Sequence, residues 1–210
     1  MKPAVIYAVS SVVAVGLGLG GYFAFAVPQQ DQFAQCRTTT IAGNSQIGAP
    51  FTLTDHTGTR VTDTDVIDGL TLMYFGYTFC PDVCPMDTAR NARAVDILEE
   101  NGIMVKPVMI TIDPVRDDPE TLGYFVNYVH PRMVGLTGSE EEIRAVAQAY
   151  KVYYDKEDDP EDEEFYLVSH STNAYLMAPE YGLLQFFTRV SRPEAMAETI
   201  ACYAGVINGE

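Results

Sequence analysis

Cys80 and Cys84 stand in Tyr74-Phe75-Gly76-Tyr77-Thr78-Phe79-Cys80-Pro81-Asp82-Val83-Cys84-Pro85, where an apolar run gives way to a turn and then to a helical pattern. A cysteine at a helix N-terminus meets unpaired N–H groups and the positive end of the helix dipole, and both lower a thiol pKa. Both sulfurs are therefore expected to be thiolates near neutral pH, as thiol–disulfide exchange and metal binding each require. The helix is expected to begin at Pro85. Begun at Pro81, it would hold Pro85 in its interior and lose a hydrogen bond there. The competing reading is a plain disulfide at a strand end. Against it, Gly76, Pro81 and Pro85 shape a loop that mere burial would not need.

Redox pairs commonly separate their cysteines by two residues; here three intervene, so a third ligand is worth seeking. The chain has three histidines. His56 lies in a turn beside Gly58 and reads as a solvated loop residue. His130 precedes Pro131 and reads as a helix C-cap. His170 directly follows the apolar segment Phe165 to Val168, so it can reach the sheet edge where the cysteines sit. Position alone leaves it either a loop residue or a ligand.

A frame must position these residues. Phe51 to Leu53 and Arg60 to Val61 read as short strands around the turn Asp55-His56-Thr57-Gly58. Leu70 to Phe75 is a continuous apolar run, typical of a strand buried on both faces. Ala89 to Glu100 reads as a helix with Ala92, Val95 and Leu98 inward, and Ile103 to Ile112 as a second buried strand. Asp117-Asp118-Pro119-Glu120 opens a helix to about Tyr128. Ser139 with Glu142, and Ser191 with Glu194, fit capping boxes. The first helix turns Ile143, Val146, Ala147 and Tyr150 inward; the second turns Met196, Ile200, Tyr203 and Ile207. Phe165 to Val168, Ala174 to Met177 and Leu183 to Phe187 read as strands. A βαβ start and a ββα end predict an α/β sandwich of thioredoxin type.

The chain of 210 residues carries 13 basic and 29 acidic residues, a net charge of −16. Such a body is repelled by nucleic acid, so a nucleic-acid partner is not expected. The run from Asp155 to Glu164 holds eight of the acids and one lysine. It reads as a solvated loop or as an electrostatic guide for a basic partner.

Pro3 to Val27 contains no charge, and roughly 20 apolar residues span a bilayer as a helix. With Lys2 leading, the N-terminus is expected in the cytoplasm and the body outside it. A cleaved signal peptide is the rival, since Ala24-Phe25-Ala26 resembles a cleavage site, but the run is long for one. The expected organisation is a transmembrane anchor over 1–27, a linker over 28–47 and a thioredoxin-like domain over 48–210. Gly16 and Gly20 in GxxxG spacing could pair two anchors as a homodimer. The lone Lys2 argues against a mitochondrial transit peptide, which would be rich in Arg and Ser. A single-pass protein of a bacterial inner membrane, its domain in the periplasm, is the expected location. In that oxidising compartment the two remaining cysteines, Cys36 and Cys202, are expected to pair in a structural disulfide.

Several segments together resemble the Sco/SenC family. They are Phe51-x-Leu53-x-Asp55-x-x-Gly58, Tyr74 to Thr78, Cys80-Pro81-Asp82-Val83-Cys84-Pro85, Thr111-Ile112-Asp113-Pro114-x-Arg116-Asp117-x-Pro119 and Tyr166-Leu167-Val168-x-His170-Ser171. Leu70 stands where the family more often has lysine, Ala178 where an acid is frequent, and Cys36 and Cys202 are extra. The resemblance implies a thioredoxin-like fold and a copper site of Cys80, Cys84 and His170. It also implies a role in assembling the dinuclear copper centre of cytochrome c oxidase subunit II. The partners expected are then that subunit, an upstream periplasmic copper donor and the inner membrane. Two thiolates and an imidazole suit copper, the soft sulfurs selecting Cu(I), and Cu(II) is the second state to consider. His170 would need an acceptor for its other ring nitrogen, and Asp113, at the end of the next strand, is the candidate. The reading is of a metallochaperone rather than an enzyme. The alternative is a thiol–disulfide reductase using Cys80 and Cys84. A peroxidase is more distant, with Arg90 and Arg116 the only arginines near the motif.

Overall fold

A computed structural model describes residues 31–38, 47–157 and 166–209. The expected anchor lies outside the described residues, as does most of the acidic run. Among the described residues no helix is long and apolar enough to cross a membrane. The chain divides into two compact units, Met1–Gln35 and Cys36–Glu210. Of the first, 31–35 are described, within a turn where the Phe33 N–H donates to Asp31 Oδ1 at 3.1 Å.

In the second unit the described elements begin with β1 (Thr52–Asp55), β2 (Arg60–Thr62), α1 (Asp63–Val66), β3 (Thr71–Gly76), α2 (Val83–Glu100), β4 (Lys106–Thr111) and α3 (Pro119–Val129). They continue with β5 (Val134–Thr137), α4 (Glu140–Ala149), β6 (Tyr154–Glu157), β7 (Leu167–His170), β8 (Ala174–Ala178), β9 (Gly182–Phe187) and α5 (Pro193–Asn208). Seven strands form one sheet in the order β2-β1-β5-β4-β3-β8-β9. Its centre is the parallel trio β5, β4 and β3, and β8 closes on β3 antiparallel.

Every residue of β3 is buried, as its unbroken apolar run requires. Met73, Phe75, Val108, Ile110 and Leu136 share one core cluster with Ile143, Val146 and Tyr150. Met109 belongs to a second, with Leu122 and Val126 of α3. α2 buries Ala92, Val95 and Leu98 and packs on α5. This is the mixed α/β, thioredoxin-like arrangement expected.

Local signals were read correctly where the cap chemistry is self-contained. The Asp118 carboxylate accepts from the Thr121 N–H at 2.7 Å, with Pro119 in the first turn. Ser139 and Glu142 form their capping box. Two starts differ from expectation. α5 is capped at Arg192, with Pro193 at its first position and no side-chain cap; proline already removes one of the donors that Ser191 would have satisfied. α2 begins at Val83, so Cys84 lies inside its first turn and Pro85 is the third helical residue. The first four N–H groups of a helix have no intrahelical acceptor, so Pro85 forfeits nothing there.

α1, β5 and β6 were not foreseen. β5 is short and broken by Gly135; β6, Tyr-Asp-Lys-Glu, has no apolar alternation. The consequence falls on β7, which pairs with β6 rather than with the main sheet. Tyr154 lies opposite His170, and the two strands form a ribbon of their own.

Cys36 and Cys202 are joined by a disulfide, with Cα atoms 5.6 Å apart. Beside it, buried Gln185 donates from Nε2 to Thr38 Oγ1 at 2.8 Å. Tyr203 donates its hydroxyl proton to the Leu184 carbonyl at 3.0 Å.

Candidate metal centre

The strand-to-helix turn places Cys80 just ahead of α2 and Cys84 in its first turn. The Cys84 N–H donates to Cys80 Sγ at 3.3 Å. The ribbon brings His170 over the same turn, its Nε2 3.3 Å from Cys84 Sγ. One donor atom from each of Cys80, Cys84 and His170 falls within 4.8 Å of the others. No carboxylate belongs to the group, and both thiols are free.

The ring orientation follows from its second contact. His170 Nδ1 lies 2.8 Å from the Ser171 carbonyl, an acceptor, so Nδ1 carries the proton and Nε2 presents its lone pair to the sulfurs. Burial pushes the imidazole pKa below its ordinary value, outweighing the Ser171 carbonyl and Asp87, which act the other way. The ring is neutral at neutral pH, the form a metal needs.

The two sulfurs are not alike. Burial raises the Cys80 pKa, but N–H groups of Cys84, Asp82 and Val83 outweigh it and hold the thiol below its ordinary value. Burial dominates at Cys84 and pushes it well above the thiol range, with the nearby Cys80 sulfur adding to the rise. The expectation that both sulfurs ionise alike therefore fails: the fold favours the thiolate of Cys80 and disfavours that of Cys84. Cys84 sits 0% exposed in the core and keeps its proton, with Nε2 of His170 in reach.

Gly76 sets the clearance under Cys84. A Cβ there would lie 2.7 Å from Tyr74 Cε1 and 3.1 Å from Cys84 Sγ. Tyr74 is itself buried, its hydroxyl donating to Asp87 Oδ2 at 3.2 Å, so the ring has little freedom to yield. Gly76→Ala is expected to destabilise the fold by about 1–3 kcal/mol, the usual cost of overpacking. Chemical denaturation would measure it, and an unchanged midpoint would contradict the tight contact.

The loop after β4 braces this site. Asp117 is fully buried. Its carboxylate accepts from Thr78 Oγ1 at 2.5 Å, from the Thr78 N–H at 3.0 Å and from Thr111 Oγ1 at 2.6 Å. It thus fixes the residue two before Cys80. Asp113 does not reach His170 as expected: the carbonyl next to the ring takes that place. Asp113 instead accepts from Arg116 Nε at 2.5 Å and from the Tyr166 hydroxyl at 2.6 Å.

The remaining histidines stand apart from the site. His56 is half-buried rather than solvated, its Nδ1 accepting from the Gly135 N–H at 3.2 Å. His130 caps α3 as expected, its N–H donating to the Val126 carbonyl. Arg90 donates to Asp87 and Arg116 to Asp113, so both guanidiniums are engaged by carboxylates. Sequence reasoning missed Tyr77, whose hydroxyl accepts from the Val168 N–H at 3.2 Å. It also missed the bracing by Arg116 and Asp117. Their signal was present in Thr111-Ile112-Asp113-Pro114-x-Arg116-Asp117, but spacing along the chain cannot say what a side chain meets.

Residues 39–205 match the SCO1/SenC family. The chain belongs to that family. Protein SenC of Rhodobacter capsulatus is 45% identical over 204 residues, which cover 96% of this chain and 90% of that protein. Among solved structures, Arabidopsis thaliana ScoI with copper bound is 38% identical, with a TM-score of 0.71, over 78% of this chain and 99% of that one. Bradyrhizobium japonicum ScoI with copper bound is 33% identical, with a TM-score of 0.68, over 75% of this chain and 99% of that one. This SCO1/SenC chain therefore shares its fold with relatives solved with copper in place. Its own donor set fits such an ion on chemical grounds: two soft sulfurs and a neutral imidazole converge, with no carboxylate joining them among the described residues.

Proposed function

We propose that Cys80, Cys84 and His170 hold one copper ion as cargo, and that the domain delivers it to the dinuclear copper site of cytochrome c oxidase subunit II. The observation that carries this is the convergence of three soft or borderline donors, Cys80, Cys84 and His170, within 4.8 Å among the described residues. Three ligands suffice for Cu(I) and leave a side from which an incoming cysteine can take the ion, whereas a structural zinc site closes with four. Copper in the solved relatives supports the choice of metal. Binding releases the Cys84 proton, because the ligand is the thiolate. In this reading residues 1–27 anchor the protein in the bacterial inner membrane, and the domain works on the periplasmic side with its copper donor and acceptor.

Titration of the reduced protein with Cu(I) against a competing chelator tests this. Wild type is expected to take up one equivalent. His170→Ala is expected to weaken retention roughly ten- to a hundredfold, while the Cys80–Cys84 disulfide still forms on oxidation. Unchanged affinity in that variant would overturn the ligand set.

A second reading has its own observation, the unequal ionisation of the two thiols. A reactive thiolate backed by a buried thiol can reduce a target disulfide. Cys80 attacks it, and Cys84 then resolves the mixed disulfide, leaving the target as two thiols and this pair oxidised. Such reduction would free the target cysteines before copper reaches them.

A further inference from the structure

His170 stands on a ribbon that shares no strand pairing with the main sheet. Its distance from the cysteines must therefore be set by other contacts. β6 pairs along one edge of β7, and side chains of the main body meet the other. Tyr77 receives the Val168 N–H. Arg116 Nη1 donates to the Tyr166 carbonyl at 2.9 Å. Tyr77 belongs to the segment leading to Cys80, and Arg116 to the loop after β4.

Arg116 holds more than that one carbonyl. Its guanidinium carbon lies 3.6 Å from the centroid of the Tyr166 ring and 4.9 Å from that of Phe79. Phe79 is the residue before Cys80, and Tyr166 immediately precedes the strand that ends at His170. Asp113 orients the guanidinium through Nε and fastens the Tyr166 hydroxyl with its other oxygen. Lys156 Nζ also sits over the Tyr166 ring, 3.8 Å from the centroid, and ties in β6. The planar fork of arginine suits this place: Nε and Nη1 make two directed hydrogen bonds in different directions while the face stacks on aromatic rings, which an ammonium cannot do together.

We infer that Arg116 is a positioning residue for the metal centre: it clamps the β6–β7 ribbon to the cysteine turn and so holds His170 at ligand distance from Cys80 and Cys84. The inference rests on the ligand set proposed above and deepens it. Arg116 touches no donor atom itself. Without its fork the ribbon keeps its internal pairing, and the cysteine turn keeps its Asp117 bracing. What is loosened is the registry between them, since the Tyr77–Val168 and Asp113–Tyr166 hydrogen bonds then tie the ribbon to the body without the fork, and the imidazole is held less firmly at the two sulfurs.

The test is a double-mutant cycle on the reduced full chain: wild type, Arg116→Met, His170→Ala and the double variant, each titrated with Cu(I) against a chelator. Arg116→Met keeps the apolar stem and removes the fork. It is expected to weaken copper retention roughly tenfold or more in the wild-type background. In the His170→Ala background the same change is expected to cost less than about twofold, since a residue acting through His170 has nothing left to position. The electron paramagnetic resonance spectrum of the Cu(II)-loaded protein is expected to lose or broaden its imidazole nitrogen coupling in Arg116→Met. Arg116→Lys is expected to fall between wild type and Arg116→Met, and it carries the same cycle should the methionine variant fail to fold. Equal losses in both backgrounds, or an unaltered nitrogen coupling, would overturn the inference. Failure of the ligand set itself gives a different result: His170→Ala alone would leave copper binding unchanged.

Discussion

The oxidised double variant Cys36→Ala/Cys202→Ala is expected to unfold roughly 5–15 °C below the wild type, a loss of about 2–5 kcal/mol. The bridge spans a sequence separation of 166, so it removes a large share of the conformations open to the unfolded chain. In the chain-entropy account a loop of this size stabilises by about 5 kcal/mol, though the entropic origin is itself disputed. The cross-link is also well placed in the folded state. Cys36 is buried, and the neighbouring Thr38 is held by Gln185, so the bonded segment is already seated on β9 and α5. Both cysteines must be replaced together, because a single leftover thiol could exchange with Cys80 or Cys84. Calorimetry measures the shift. Mass mapping of the non-reduced wild type should return a peptide joining Cys36 to Cys202. A link from either to Cys80 or Cys84, or a melting temperature unmoved by the double variant, would overturn the stabilising role.

The second large effect concerns the reduced Cys80–Cys84 pair. At neutral pH iodoacetamide is expected to modify Cys80 faster than Cys84 by on the order of a hundredfold or more. Two causes act in the same direction. Only the thiolate reacts, and N–H groups at the start of α2 favour the thiolate of Cys80, while burial disfavours that of Cys84. Access adds to this, since Cys80 keeps 8% of its surface and Cys84 keeps none. The sign of the pH dependence follows. As pH falls, the Cys80 rate should persist below the range of an ordinary thiol, because its pKa is depressed. The Cys84 rate should stay negligible until the pH is well above neutral. Peptide mapping after timed labelling from mildly acid to alkaline pH checks both curves. Equal rates at neutral pH would contradict the assignment.

Much of this protein was legible from its residues because the responsible interactions are short in sequence. Burial on both faces of β3 follows from an apolar run with no polar interruption. The start of α3 at Asp118-Pro119 and of α4 at Ser139 follows from side chains that reach only a few residues along their own backbone. Cys80 and Cys84 could be singled out by residue type and by their place between strand and helix, whereas His170 was assigned through the family resemblance, its position alone leaving it open. Where two local signals competed, as at Ser191 and Pro193, the stiffer one prevailed.

Tertiary structure decided what depends on distant partners. His170 was expected beyond a strand of the sandwich, yet it ends a separate ribbon, because the charged β6 offers its edge to β7 and pairing needs backbone rather than apolar pattern. Asp113 was expected beside that ring, but a nearer carbonyl holds His170, and the carboxylate pairs with the Arg116 fork and the Tyr166 hydroxyl. The thiols were expected to ionise alike because both lie near one helix start. Ionisation depends on solvent and on aimed N–H groups as well as on the dipole, and the fold leaves those to Cys80 while enclosing Cys84. Residue type thus named the atoms able to bind a metal, whereas the spacing between them, the proton each carries and the contacts that hold them are set by packing across elements far apart in the chain.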